Sequence, residues 1–192
     1  MLKKAGEGDQ AAFLELYERY RQPIFRFAYR LLGSIEVAED VTHDCFLSLI
    51  RKPENFKAER ASLKTYLYAA ARNLALKHFR STGREAAMEE VAEEPQESPK
   101  RGPLRRLLDE ELAAQVREAV FSLPPMQREA LILFEYEGLS LSEVAEIAGT
   151  DVGAIKARLY RAREGLRRIL RPYLNSNQEL NSGREIVTLR EA

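Results

Sequence analysis

The sequence predicts an all-α protein built as two small helical domains joined by a flexible acidic linker, the C-terminal domain being a helix-turn-helix. Three observations carry this. No segment alternates apolar and polar residues for long enough to make a strand. Apolar residues recur at three- and four-residue spacing through both ends of the chain, the signature of helices with one buried face. Between them, residues 81–103, STGREAAMEEVAEEPQESPKRGP, lose that periodicity and are rich in Glu, Pro, Ser and Gly, the composition of a tether. The expected division is residues 1–84, a linker over 85–104, a domain over 105–174, and a polar, frayed tail over 175–192.

The elements follow in order. A first helix starts after Gly8-Asp9, with Asp9 as its N-cap, and ends at Gly33. Phe13, Leu16, Tyr17, Tyr20, Ile24, Phe27, Ala28 and Leu31 form its apolar edge, and Pro23 is expected to kink or split it. Ser34 caps a second helix, halted by Pro53, whose stripe is Ala38, Val41, Cys45 and Leu49. A third, LKTYLYAAARNLALKHFR, buries Leu67, Ala70, Ala71 and Leu74. Beyond the linker, helices are expected over about 104–122, 125–137, 141–148 and 152–171. Pro124-Pro125 opens the second of these, where a missing N–H costs nothing. Ser142 or Ser140 caps the third, Gly149 supplies a left-handed turn, and Asp151 caps the fourth. Val144, Ala145, Ile147 and Ala148 then face Val152, Ile155 and Leu159 across a tight corner, the arrangement of a helix-turn-helix.

Charge is patterned although the 192 residues sum to zero. Residues 60–84 carry six basic and no acidic side chains, and residues 152–171 carry seven basic and one acidic. Between them, residues 85–151 carry six basic and sixteen acidic. Two cationic helices separated by an acidic stretch suggest contact with a polyanion, against the plainer reading of solvated basic faces.

The two blocks differ in kind. In the last helix, with Ile155 toward the core, Gly153, Ala157, Tyr160, Arg161 and Glu164 point away, flanked by Ala154, Lys156 and Arg158. Small residues at the helix start permit close approach to a duplex and cations hold its phosphates. In the first block, Tyr66, Asn73, Lys77, Arg80 and Arg84 fall on one stripe, with Tyr68, Arg72 and Phe79 beside it and Lys64 at its start. Aromatics beside cations suit an unstacked single strand, though Tyr and Phe on a helix more commonly belong to a core.

Other functions find little support. A single cysteine, Cys45, leaves no disulfide within the chain and points to a reducing, cytoplasmic compartment. The first twenty residues lack a signal-peptide pattern, and no apolar run reaches the roughly 18 residues of a membrane span. His43 and Cys45 stand two apart and do not share a helix face, so no metal site is expected. No catalytic constellation, phosphate cradle or cofactor motif is present.

Several segments resemble the extracytoplasmic-function sigma factors of the bacterial sigma-70 superfamily. AEDVTHDCFLSLI resembles that family's core-polymerase-binding helix, usually written A-E-D-h-x-Q-E-h-F. FKAERASLKTYLYAAARNLALKHFR resembles the segment that melts and reads the −10 element, and LPPMQREALILFEYEGLSLSEVAEIAGTDVGAIKARLYRAREGLR resembles the −35-reading domain. The resemblance implies a transcription initiation factor that binds core RNA polymerase and promoter DNA. It assigns polymerase docking to Glu36, Asp40, His43, Asp44 and Leu47, the −10 element to Lys64, Tyr66, Arg72, Asn73, Lys77 and Arg80, and the −35 element to Gly153, Ala154, Lys156, Ala157, Arg158, Tyr160 and Arg161. It also implies an anti-sigma factor on a separate chain. The sequence departs from the family pattern in having Tyr66 for Trp, Lys77 for Asp, His43-Asp44 for Gln-Glu, Ala154 for Thr and Ala157 for Ser. The rival readings are a stand-alone helix-turn-helix regulator and a helical scaffold that binds only protein.

Overall fold

The computed structural model describes residues 9–57, 59, 61–82 and 103–188, with side chains over 9–57, 59, 61–79 and 111–173. Helix α1 (Gln10–Leu32) begins where Asp9 Oδ1 accepts from the amides of Ala11 and Ala12 at 3.0 and 3.1 Å. It ends where Gly33, at φ 77°, donates to the Tyr29 carbonyl at 2.7 Å. Pro23 lies inside the helix without splitting it. One missing ladder bond is outweighed by burial on its C-terminal side, where Ile24, Phe27 and Leu31 are buried.

Helix α2 (Ile35–Arg51) is capped by Ser34, whose hydroxyl accepts from Val37 N at 3.4 Å. A 3₁₀ turn, Pro53–Asn55, follows. In α3 (Leu63–Thr82) the Ser62 hydroxyl accepts from Thr65 N at 3.1 Å. These three helices pack around Leu16, Phe27, Ala38, Val41, Phe46, Leu67 and Ala71. Tyr68 is only 1% exposed and meets Phe27 edge to face at 5.4 Å. Its expected place on an open nucleic-acid stripe is therefore corrected: the ring belongs to the core, while Ala70 and Leu74 are only partly buried.

The C-terminal unit comprises α4 (Pro103–Phe121), α5 (Pro125–Leu131), a π-helical turn (Ile132–Tyr136), α6 (Leu141–Ala148) and α7 (Val152–Thr188). The π turn closes when Glu137 N donates to the Ile132 carbonyl five residues back, at 3.1 Å. Ser140, not Ser142, caps α6: its hydroxyl accepts from Glu143 N while the Glu143 carboxylate accepts from Ser140 N at 2.8 Å, a reciprocal box. The Ser140 hydroxyl also donates to that carboxylate at 2.7 Å, and this bond first, then the one from Ser140 N, holds the Glu143 carboxyl below its usual range. Gly149 turns the chain at φ 63° and Asp151 Oδ1 accepts from Ala154 N at 2.8 Å. Val144, Ala145, Ile147 and Ala148 bury against Ile155, Leu159 and Ala162, the expected corner. The tail departs from expectation, because α7 continues to Thr188 rather than fraying after 174. Its residues offer the backbone a ladder with Gly183 as the lone glycine beyond Gly165, and Pro172 is absorbed within it.

No strand is present among the described residues. Residues 83–102, which hold Arg84 and most of the expected linker, lie outside them, as does the Arg80 side chain. The two units nonetheless meet directly: α3 packs against α6, and α1 against the π turn.

Candidate polymerase and nucleic-acid surfaces

Helix α2 turns its apolar stripe inward, burying Ala38, Val41, Cys45 and Leu49. The remaining positions are then forced outward by the 3.6-residue period. Glu36, Glu39, Asp40, His43 and Asp44 are exposed, and Leu47 is half-buried at their end. The structure thus brings all five expected docking residues onto one acidic face with an apolar edge. Exposed Ile50, at 41%, extends that edge.

Helix α7 is placed as its sequence requires. Gly153, Lys156, Tyr160 and Arg161 are exposed, and Ala154, Ala157 and Arg158 half-exposed. Tyr160 is 66% exposed, which leaves a ring and a hydroxyl available to a groove. Arg158 bends back, with Nη1 buried and without a hydrogen-bond partner among the described residues. Arg163 is committed elsewhere: Nη2 donates to Glu135 Oε1 on the π turn at 2.6 Å. The cationic studs of α7 therefore divide, with Lys156 and Arg161 exposed on its N-terminal half and Arg163 tied to the π turn.

Helix α3 does not hold its expected residues together. Tyr66, Asn73 and Lys77 share one face, Asn73 and Lys77 fully exposed and Tyr66 packed against Phe56. Lys64, Tyr68 and Arg72, four residues apart, lie about 160–240° around the helix from Tyr66. They turn toward the C-terminal unit. Arg72 Nε donates to Glu129 Oε1 at 2.5 Å, Lys64 Nζ to the Glu137 carbonyl at 3.1 Å, and the Tyr68 hydroxyl to Glu137 Oε2 at 2.5 Å. Arg30 of α1 adds a bond from Nη1 to Glu137 Oε1 at 3.3 Å. Burial, and then the neighbouring Glu137, push the Tyr68 hydroxyl above its ordinary range. Sequence reasoning missed Glu129 and Glu137. Their only signal was membership of the acidic block, which names no partner.

No group of three or more His, Cys, Asp or Glu able to hold a metal is found among the described residues. No helix there is long and apolar enough to cross a membrane.

An exposed acidic helix, a cationic helix that carries aromatics and a cationic helix-turn-helix follow one another along the chain, and comparison with known proteins gives the class to which that order belongs. Residues 16–85 match the model of Sigma-70 region 2, and residues 113–166 that of Sigma-70, region 4. The chain is 30% identical over 178 residues to the ECF RNA polymerase sigma factor SigW of Bacillus subtilis (strain 168), covering 88% of this chain and 95% of that one. It is 31% identical over 182 residues to the RNA polymerase sigma-H factor of Pseudomonas aeruginosa, covering 91% and 94%. Among solved structures it resembles the sigma factor RpoE in complex with the anti-sigma factor NepR from Bartonella quintana, at TM-score 0.65 and 28% identity over 83% of this chain and 97% of that one. The chain belongs to the ECF sigma factors of the sigma-70 family.

Proposed function

We propose that this protein binds core RNA polymerase through the acidic face of α2 and directs it to specific promoters, with α7 reading the −35 element as duplex and the Tyr66 face of α3 meeting the −10 element as opened strand. The observation that supports this most is the exposure of Lys156, Tyr160 and Arg161 on a helix pinned by Ile155 and Leu159, in a chain that also carries a region 2 match. That match favours the polymerase-dependent reading over a stand-alone regulator, which has no use for it. The protein acts without catalytic groups of its own, in the cytoplasm where polymerase works. An anti-sigma factor on a separate chain is the expected inhibitor, by analogy with RpoE of Bartonella quintana, which forms a complex with the anti-sigma factor NepR.

Run-off transcription from genomic fragments by core polymerase, with and without the protein, tests the reading. Transcripts that start at defined sites only when the protein is added are expected. A footprint on duplex DNA without polymerase, and no dependence of transcription on the protein, would overturn it.

A further inference from the structure

We propose that Glu135 is a positioning residue for DNA binding: it holds the Arg163 guanidinium off the duplex, so that α7 grips fewer phosphates than its cations allow. This rests on the reading of α7 as the helix that meets the −35 duplex.

Helical spacing alone would put Arg163 on the DNA. Lys156, Tyr160 and Arg163 stand at i, i+4 and i+7, a single stripe. Arg163 lies about 20° round the helix from Lys156 and about 10.5 Å further along, within the roughly 12 Å width of a major groove. Its Nη2 instead donates to Glu135 Oε1 at 2.6 Å, and its guanidinium lies 5.8 Å from the centre of the Phe134 ring. Both partners belong to the π turn, whose extra residue sets the angle at which they leave the backbone. Arg167, next along the stripe, is likewise taken by Glu164. The two cations that would carry the stripe past Tyr160 each face a carboxylate, while Lys156 has no such partner among the described residues.

The pair is not needed to hold the helix. Its side chains are 48% and 44% exposed, and exposed ion pairs contribute little to stability. Helix α7 is seated without it: Ile155, Leu159 and Ala162 are buried, and Gly165 runs so close to the core that an added Cβ would stand 2.9 Å from Leu123 Cδ2. What the pair fixes is the position of a charge. A guanidinium bound to a carboxylate presents no net charge to a phosphate, and the carboxylate itself repels one. Phosphate contacts raise affinity for every sequence alike. Glu135 thus removes a sequence-independent contact and leaves a larger share of the binding to base edges.

A salt titration of holoenzyme on a promoter duplex, and on a random duplex of the same length, tests this. Glu135→Gln should steepen the slope of log affinity against log salt by about one and tighten binding to both duplexes about 3–10-fold near 0.1 M salt. Arg163→Ala alone should keep the wild-type slope, and Glu135→Gln/Arg163→Ala should match it. A gain that disappears with Arg163 cannot arise from misfolding or from an altered polymerase contact. An unchanged slope in Glu135→Gln overturns the proposal. So does a gain that survives the loss of Arg163, or a slope lowered by about one in Arg163→Ala, which would put that cation on a phosphate already. Lys156→Ala reads the underlying assignment of α7. If it lowers the slope while Glu135→Gln leaves it unmoved, only the withholding of Arg163 fails. If neither variant moves the slope, α7 is not the helix that meets the duplex, and both readings fall.

Discussion

Tyr66 and Phe56 meet edge to face, their ring centroids 5.4 Å apart at 75°. Tyr66 is thus a half-buried prop as well as the aromatic of the expected strand-reading face. Burial pushes its phenol above the ordinary range, with Cys45 and Glu54 adding to the effect. The two roles separate by substitution. Tyr66→Phe should keep the aromatic pair, leave the melting temperature near wild type and open promoter DNA normally. Tyr66→Ala should lose about 0.5–1.5 kcal/mol of pairing and a base-stacking surface of about 1–3 kcal/mol. Calorimetry of the free protein, followed by permanganate reactivity of promoter thymines, measures each loss. Opening as efficient as wild type in a stably folded Tyr66→Ala would remove the residue from the strand-reading face.

Asp40 stands exposed in the acidic face of α2, far enough from the buried stripe that a change there should not unfold the helix. Asp40→Arg should weaken core-polymerase binding roughly tenfold or more, equivalent to about 1.4 kcal/mol, with the circular dichroism spectrum unchanged. Equal recovery of variant and wild type with immobilised core polymerase would place docking elsewhere.

Lys156 and Arg161 are exposed on the N-terminal half of α7, the part proposed to read DNA. If each holds one phosphate, Lys156→Ala and Arg161→Ala should each lower the slope of log affinity against log salt by about one, uniformly across sequences. The loss should be visible in the closed complex, before strands separate. A salt titration of promoter binding by holoenzyme reads it directly, and an unaltered slope would mean that neither side chain touches the backbone.

Cys45 is 1% exposed, and burial pushes its thiol from 9.0 up to about 12. The folded state therefore binds the thiol proton more tightly than the unfolded state. Its contribution to stability is complete below pH 9 and is lost as pH climbs from 9 toward 12. At neutral pH the native thiol should react with a disulfide reagent only through unfolding, and denaturant should accelerate the reaction. Prompt labelling of the native protein would mean that the helices around it open locally.

What could be read from the sequence was what depends on near neighbours. Asp9, Ser34 and Asp151 were legible as caps because each acts on an amide two or three residues on. Ser140 could have been chosen over Ser142, since Glu143 stands three residues after it and completes the box. Pro23 was given too much weight because the local rule ignores the burial that holds both halves of α1. The −10 residues were read as one helical stripe, Tyr66, Asn73, Lys77 and Arg80, with Tyr68 and Arg72 beside it and Lys64 at its start. A helix, however, sends Lys64 and Tyr66 to opposite sides, so Lys64 and Arg72 face the other domain while Tyr66, Asn73 and Lys77 do not. Glu137 was out of reach altogether, because its partners lie 69 and 107 residues away and no periodicity spans such a gap.

Helix α7 runs unbroken from Val152 to Thr188. At 1.5 Å per residue, that is a rod of about 55 Å. The end proposed to meet the groove and the tail are thus one mechanical piece. A tilt of about 10° at the turn would swing the far end through roughly 10 Å. Leverage runs both ways: a molecule that grips the tail gains a handle on how the other end sits in DNA, and a fluorophore on the tail magnifies every rocking of the recognition helix.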